Sequence, residues 1–133
     1  MIFIDCNIPR YLIGAAHPHK TDSQVLLERL VAARERLVTD AEVLQEIIHR
    51  YTAIRKRDAI ALAFRTLLDL VDDVLAIHKA DVLRAGEIVQ NRAMPSARAA
   101  IHIAVMEHHG IRSILSFDAD FDRWPGLKRI HRV

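Results

Sequence analysis

The sequence has little cysteine and no long apolar run, and each shortage excludes a class of protein. Cys6 is the only cysteine among 133 residues, which rules out an intrachain disulfide and a zinc site built from cysteine ligands. No apolar run reaches the roughly 20 residues of a membrane-spanning helix, and no basic region leads into an apolar signal segment. We therefore expect a cytoplasmic protein whose metal ligands, if any, are oxygen or imidazole.

The chain also lacks a strong excess of charge of either sign. Its formal net charge is +2 with neutral histidines, which says little about partners because the total does not describe local patches. Such patches could bind a phosphate backbone, but solvated helix ends and loops are the simpler explanation. The basic clusters are Arg34 with Arg36, residues 55–57, and Arg123, Lys128, Arg129 and Arg132.

No repeat, linker or low-complexity segment interrupts the chain, so we expect one domain spanning residues 1–133. With 51% hydrophobic and 27% charged residues, a chain of this length can bury a core of its own. Short apolar segments alternate with helical patterns along it. Strands are predicted at 1–5, 37–38, 74–77 and 113–117, and helices at 23–36, 57–70 and 79–90.

Two further helices have recognisable ends. Thr39 and Glu42 form the pattern of a capping box before an apolar stripe. Pro95 and Ser96 introduce the last long helix, whose apolar face is predicted at positions 97, 100, 101, 104, 105 and 108 and which Gly110 is expected to stop. The whole order predicts an α/β fold, with a parallel sheet of about four to five strands sandwiched between helices.

Two acids stand at the ends of predicted strands, and a third lies on a helix. Asp5 and Asp118 follow apolar strands, and ligands of open parallel sheets bind beyond the carboxyl ends of the strands. Both carboxylates are therefore expected at one edge of the sheet. Glu46 lies off the apolar stripe of its helix, and two interpretations stay open for it: it faces this edge, or it forms an ordinary surface pair with Arg50.

Clustered carboxylates without cysteine ligands suit a hard cation such as Mg²⁺ or Mn²⁺, which prefers oxygen ligands and binds phosphate. Such a cation lowers the pKa of a bound water and neutralises charge that develops on a phosphate. The acids therefore indicate metal-dependent phosphate chemistry.

Three segments together resemble the PIN domains of VapC toxins. They are Phe-Ile-Asp-Cys-Asn-Ile at 3–8, Thr-Asp-Ala-Glu-Val-Leu-Gln-Glu-Ile-Ile at 39–48, and Ser-Ala-Arg-Ala-Ala-Ile-His at 96–102 followed by Leu-Ser-Phe-Asp-Ala-Asp-Phe-Asp at 115–122. In order and spacing they cover essentially the whole chain. The resemblance implies the toxin of a type II toxin–antitoxin system, an endoribonuclease that hydrolyses RNA, with tRNA among the expected targets. It also implies a VapB-type antitoxin as partner and a homodimer.

By this resemblance Asp5, Glu46 and Asp118 are catalytic and hold Mg²⁺ or Mn²⁺. His102 is expected to flank the cleft, although a lone histidine on a helix is more often packed or solvated. The supporting residues implied are Asn7, Ser116 and Arg98, with Asp120 or Asp122 supplementing Asp118 through water.

The chain departs from the motif at Ala99, where the resemblance implies another catalytic aspartate. Loss of a residue at a metal site typically costs roughly 10–100-fold in affinity or activity, so we expect a weakly active or inactive chain. An engineered Asp→Ala change is favoured, because the rest of the motif is intact and an active RNA-cutting toxin would harm its expression host. A naturally degenerate PIN domain that only binds RNA or a partner is the alternative.

Two other functions compete with the nuclease. A receiver-like or phosphotransferase domain also places an aspartate after its first strand, but a phosphatase of this kind needs an acid where Asn7 stands, and the chain has no Gly-rich phosphate loop. A non-catalytic RNA- or protein-binding module agrees with Ala99. Restoring an aspartate at position 99 separates this module from a nuclease, because a pure binding module should gain no cleavage activity.

Overall fold

The helices and strands alternate along a single sheet. A computed structural model of the protein describes residues 1–91 and 96–133. Its elements are β1 (Ile2–Ile4), α1 (Asn7–Ile13), α2 (Pro18–Ala32), β2 (Leu37–Asp40), α3 (Ala41–Ala53), α4 (Ala59–Leu70), β3 (Asp73–Leu75), α5 (Lys79–Gln90), α6 (Ala97–His108), β4 (Ser113–Leu115), a short 3-10 helix (Ala119–Arg123) and β5 (Lys128–Ile130). Within these described residues the five strands are all parallel, in the order β3-β2-β1-β4-β5, which confirms the predicted parallel α/β fold.

The central strands are short and apolar because both faces of the sheet are covered. Every residue of β1 and β2 is buried, as expected for the middle of a parallel sheet between helices. Helices α5 and α6 pack on each other, and α1 packs on both α2 and α4. The largest fully buried side chains include Phe3, Ile103, Ile114, Leu115 and Phe121.

The order of the strands creates a crevice at the end of β1. The chain passes from β1 to β2 and β3 on one side, and then returns to place β4 and β5 on the other side. Ile4 of β1 pairs with Leu115 of β4, so the loops after these two strands diverge from neighbouring points. Such a switch in strand order is where open α/β sheets bind their ligands.

Most predicted elements are present, some with shifted ends. Helix α5 spans the predicted residues 79–90, and α4 begins two residues later than predicted. The helix predicted at 23–36 instead runs from Pro18 to Ala32, because His17 caps its start and Arg34 adopts a left-handed conformation (φ 57°) just after its end. The last predicted strand stops at Leu115 rather than at Phe117, and β3 occupies 73–75 rather than 74–77.

The predicted capping box at the start of α3 is wrong. Thr39 belongs to β2, and its hydroxyl donates to the carbonyl oxygen of Ile4 at 2.9 Å. The cap is Asp40, whose carboxylate accepts from the backbone N–H of Val43 at 3.0 Å. A buried acid at the end of a strand therefore also starts the next helix.

Helix α6 has the predicted ends and a different buried face. Ser96 caps it by accepting from the N–H of Ala99 at 3.0 Å, and Gly110 ends it with φ 66°. Pro95 lies outside the described residues. Ala97 and His108 are exposed, contrary to the predicted face, because α6 packs against both α3 and α5 and turns a wider surface inward. Its buried residues are Ala99, Ala100, His102, Ile103, Ala104, Val105 and Met106.

Three elements give no clear signal in the sequence. Helix α1 is seven residues long, and the 3-10 helix five, which is too short for a periodic apolar stripe. Strand β5 has the sequence Lys-Arg-Ile and is held by backbone pairing to β4. The basic cluster at the carboxyl end, for which the sequence favours solvated helix ends and loops, therefore includes an edge strand.

In the described part of the chain, residues 1–91 and 96–133, none of the helices is both long and apolar enough to cross a membrane.

Candidate functional site

Asp5 is a buried acid that receives three hydrogen bonds from neutral groups. It follows β1 and is only 4% exposed. One carboxylate oxygen, Oδ1, accepts from the backbone N–H of Cys6 at 2.7 Å. The other, Oδ2, accepts from the Asn7 amide at 3.2 Å and from the Ser116 hydroxyl. Burial raises the pKa of Asp5, although the charge of His102 and the hydrogen bonds from Ser116 and the N–H of Cys6 oppose the rise.

Asn7 and Ser116 join the ends of β1 and β4. The Asn7 side-chain amide donates to Ser116 Oγ at 3.3 Å, and its carbonyl oxygen accepts from the N–H of Phe117 at 3.4 Å. Ser116 Oγ also accepts from the N–H of Asp118 at 3.0 Å. This buried network sets the position of Asp5 relative to the segment that carries Asp118.

Glu46 lies in the middle of α3 and lines the same cleft, and its partner is His102. Its Oε1 lies 2.7 Å from Nε2 of His102, and Nδ1 of the same ring lies 2.7 Å from Oδ2 of Asp40. The surface pair of Glu46 with Arg50 is absent from the salt bridges of the described residues. The sequence pattern had left that choice open, and the fold brings Glu46 to the cleft.

Asp40, His102 and Glu46 interact electrostatically through these two contacts. Burial by itself lowers the pKa of His102, but the charge and hydrogen bond of Asp40 and those of Glu46 outweigh burial and hold it well above its usual value. For Glu46 the effects are reversed. Burial by itself raises the pKa of Glu46, but the hydrogen bond and charge of His102 hold it below its usual value. The imidazolium form of His102 therefore bridges two carboxylates.

Asp5 and Glu46 line one cleft with a volume of about 330 Å³. Ala99 lies in its wall at the first turn of α6 and is 5% exposed. Asp118 lines the same cleft but is exposed, and its Oδ1 accepts from the N–H of Asp120 at 2.9 Å. The cleft also contains Cys6, Asn7, Arg10, Tyr11, His19, Ser96, Arg98, Phe117 and Phe121.

Asp120 and Asp122 are not among the described residues that line the cleft. Both oxygens of Asp122 accept from the Arg129 guanidinium, at 2.8 and 2.9 Å. Arg129 also donates to the carbonyl oxygen of Ser116 at 3.3 Å. Asp122 therefore anchors β5 to the loop after β4, and its geometry gives no support to a role beside Asp118.

The donor set fits a divalent cation. Ligand-type atoms of Asp5, Glu46 and His102 lie within 4.8 Å of one another, but both ring nitrogens of His102 are hydrogen-bonded to Asp40 and Glu46, so the carboxylates are the available ligands. The buried carboxylate of Asp5 is held by neutral donors, so its charge has no direct ion-pair partner among the described residues. With Asp118 facing the same cleft, oxygen ligands predominate, as Mg²⁺ and Mn²⁺ require.

The sequence pattern does not predict Asp40 beside the site, and it predicts His102 only at the edge of the cleft. His102 is packed, as a lone helical histidine usually is, but it is packed between two acids. The available signal was the position of Asp40: like Asp5, it ends an apolar strand and lies at the same edge of the sheet. Its partner lies 62 residues away, so local pattern could not reveal the contact.

Comparison with known proteins gives consistent results. A family model described as the PIN domain matches residues 2–127. Ribonuclease VapC13 of Mycobacterium tuberculosis is 55% identical over 130 residues, which cover 98% of this chain and 99% of that protein. The VapC ribonuclease of Mycobacterium bovis matches with the same identity and coverage.

Solved structures of low identity share the fold. The crystal structure of Mycobacterium tuberculosis VapC20, a toxin that cleaves the sarcin–ricin loop, aligns with a TM-score of 0.77 at 22% identity and covers 96% of this chain and 98% of that one. VapBC2 of Rickettsia felis, bound to a DNA fragment from its promoter, aligns with a TM-score of 0.75 at 17% identity over the full length of both chains.

Proposed function

Because the chain belongs to the PIN-domain family and, within it, to the VapC ribonucleases, we propose that it is the toxin of a type II toxin–antitoxin system, an endoribonuclease dependent on Mg²⁺ or Mn²⁺. The observation that carries this proposal is the cleft at the end of β1 and β4. There a buried Asp5, held by neutral donors, faces Glu46 and Asp118. The family match also argues against the receiver-like alternative.

Asp5, Glu46 and Asp118 would hold the cation. The chemistry that such a cation supplies is the activation of a water molecule and the neutralisation of charge on the phosphate. Ser116 and Asn7 fix the Asp5 carboxylate by hydrogen bonds, and the Asp40–His102 pair fixes Glu46.

Two arginines line the cleft beside the acids and suit the RNA backbone. Arg10 projects from α1, and Arg98 lies in the first turn of α6. Guanidinium groups pair well with phosphate oxygens, and here they would offset the repulsion between the acidic cleft and RNA. We assign Arg98 a supporting role in substrate binding.

Ala99 leaves this site one carboxylate short. Position 99 is buried in the cleft wall, in the first turn of α6 and three residues after the Ser96 cap, where a side chain lies close to the helix N-terminus. An aspartate there would add a ligand and would be favoured by the helix dipole. We propose that its absence attenuates or abolishes cleavage, and the alternative function, a non-catalytic RNA- or protein-binding PIN module, rests on the same residue.

The proposed partners rest on membership of the VapC family and on solved structures of the same fold. Solved structures of the same fold include toxin–antitoxin complexes from Rickettsia felis and Klebsiella pneumoniae. We propose a VapB-type antitoxin, a homodimer that the antitoxin bridges, and an RNA substrate of single-stranded or loop structure, with tRNA as one candidate. A cytoplasmic location stays a prediction.

The test compares Mn²⁺-dependent cleavage of fluorescent RNA and total tRNA by the chain and its Ala99→Asp variant. Asp5→Ala in the restored variant should abolish cleavage. The matched control is Ala97→Asp, which adds the same charge to the same turn at an exposed position. We expect Ala99→Asp to cleave at least about 10-fold faster than the chain, and Ala97→Asp to match the chain. If no aspartate variant cleaves RNA while folded protein still binds RNA or antitoxin, the binding module replaces the nuclease.

A further inference from the structure

Four rings form a cluster at one side of the cleft, and we call Tyr11, His17, His19 and Phe117 the aromatic cluster. The rings of His19 and Phe117 are stacked, with centroids 4.0 Å apart and planes 8° from parallel. Tyr11 meets both rings edge-on, at 5.0 and 5.6 Å, and His17 lies 4.9 Å from Tyr11 and from His19. The edge-to-face contacts of Tyr11 are a favourable arrangement for aromatic pairs.

Three separate elements bring these rings together. Tyr11 lies on α1, His17 and His19 stand at the start of α2, and Phe117 follows β4. His17 is itself fixed, because its Nδ1 accepts from the N–H of His19 at 3.0 Å. The N–H of Phe117 donates to Asn7, the residue that also holds Asp5. The aromatic cluster is therefore tied to the catalytic network by a backbone hydrogen bond.

The aromatic cluster differs from the aromatic residues of the core. Phe3 and Phe121 are 0% and 1% exposed, whereas Tyr11 and Phe117 are only half-buried. Tyr11, His19 and Phe117 line the same cleft as Asp5 and Glu46. Flat, partly exposed rings at the wall of an acidic cleft are poorly explained by core packing alone.

A cation accompanies the rings. The guanidinium of Arg10 lies 5.2 Å from the centre of the Tyr11 ring and lines the cleft. A nucleotide carries an anionic phosphate beside a flat base. A guanidinium suits the phosphate, and a stack of rings suits the base. The acids line the same cleft as the rings, so a phosphate held by a cation at the acids would have its base near the rings.

We propose that the aromatic cluster is a base-stacking subsite, in which an unpaired nucleobase beside the scissile phosphate continues the stack of His19 and Phe117 while Arg10 contacts a neighbouring phosphate. This inference rests on the proposed RNA cleavage. Stacking on a ring accepts any base but requires a base that is free of its own helix. The subsite therefore selects single-stranded and loop RNA rather than a particular base.

The experiment measures binding, so it uses the chain with Ala99 in a chelator and needs no cleavage. The probe is a short single-stranded RNA with a central 2-aminopurine, whose fluorescence falls on stacking, and the reference is the same RNA with an abasic site at that position. We expect the abasic RNA to bind about 5- to 100-fold more weakly, and 2-aminopurine to be quenched on binding. Phe117→Leu and His19→Ala should each remove most of that difference.

Matched variants separate stacking from folding. Phe64→Leu makes the same change as Phe117→Leu at a half-buried ring of α4 that does not line the cleft, and it should bind both RNAs as the parent does. Equal affinity for the intact and abasic RNA, or unchanged quenching in both Phe117→Leu and His19→Ala, overturns the inference, as does the absence of RNA binding. Cleavage by Ala99→Asp without any base dependence would leave the nuclease intact and reject only the subsite.

Discussion

His102 connects two acids that the fold would otherwise bury without a counterion. The side chain of Asp40 is 0% exposed and that of Glu46 is 10% exposed. Removing one partner of a buried ion pair typically costs about 3–5 kcal/mol, because it leaves charge uncompensated. We expect His102→Leu to lower the free energy of unfolding by about that amount, measured by denaturant titration in a chelator. The control is His108→Leu on the same helix, which should cost less than about 1 kcal/mol because His108 is 51% exposed and its partner Asp81 keeps the hydrogen bond from the N–H of His78.

The pH dependence of the same variant has a definite sign. The acids raise the pKa of His102 above 6.5 in the folded chain. The contribution of His102 to the free energy of unfolding is therefore complete below pH 6.5, and it is lost as the pH rises through the raised pKa. In His102→Leu, Glu46 loses its cationic partner, so the pKa of Glu46 should rise and acid should favour the folded state. The difference in the free energy of unfolding between the parent and His102→Leu should therefore narrow as the pH falls from 6.5 towards about 5. A difference that stays constant over this range would contradict the proposed bridge.

At the scale of single elements, two glycines should respond to alanine in opposite ways. Gly110 follows α6 with φ 66°, and a left-handed conformation costs an L-residue about 1–2 kcal/mol. Gly86 lies inside α5, where alanine is better by about 0.5–1 kcal/mol. An added Cβ meets nothing within 4 Å at either site, so backbone conformation alone decides. Thermal melts should show Gly110→Ala destabilised and Gly86→Ala stabilised; a shift of the same sign in both would refute this explanation.

At the scale of the whole molecule, cation binding and folding should be linked. The proposed ligands come from distant parts of the chain, after β1, within α3 and after β4, so the unfolded chain has no preformed site. Mn²⁺ at about 100 times its Kd should stabilise the fold by about 2.7 kcal/mol, seen as a rise in Tm that chelation reverses. Ala99→Asp should show a larger rise at the same Mn²⁺ concentration and Asp5→Asn little or none. An Asp5→Asn variant that responds as the parent does would place the cation elsewhere.

Much of the fold could be read from the sequence because its signals are local. The apolar segment before Asp5, the range of α5, and the Ser96 and Gly110 ends of α6 each depend on residues within a few positions of one another. Short elements could not be predicted in this way, because the seven residues of α1 and the three of β5 carry too little periodicity.

The sequence by itself determined the alternation of strands and helices and the acids at strand ends, because apolar spacing and chain direction dictate both. Only the tertiary structure decided which side chains meet. It turned Glu46 to His102 instead of Arg50, paired His102 with Asp40 across 62 residues, and assembled the aromatic cluster from three elements. Such contacts depend on the order of strands in the sheet and on helix packing, in which residues distant along the chain become neighbours.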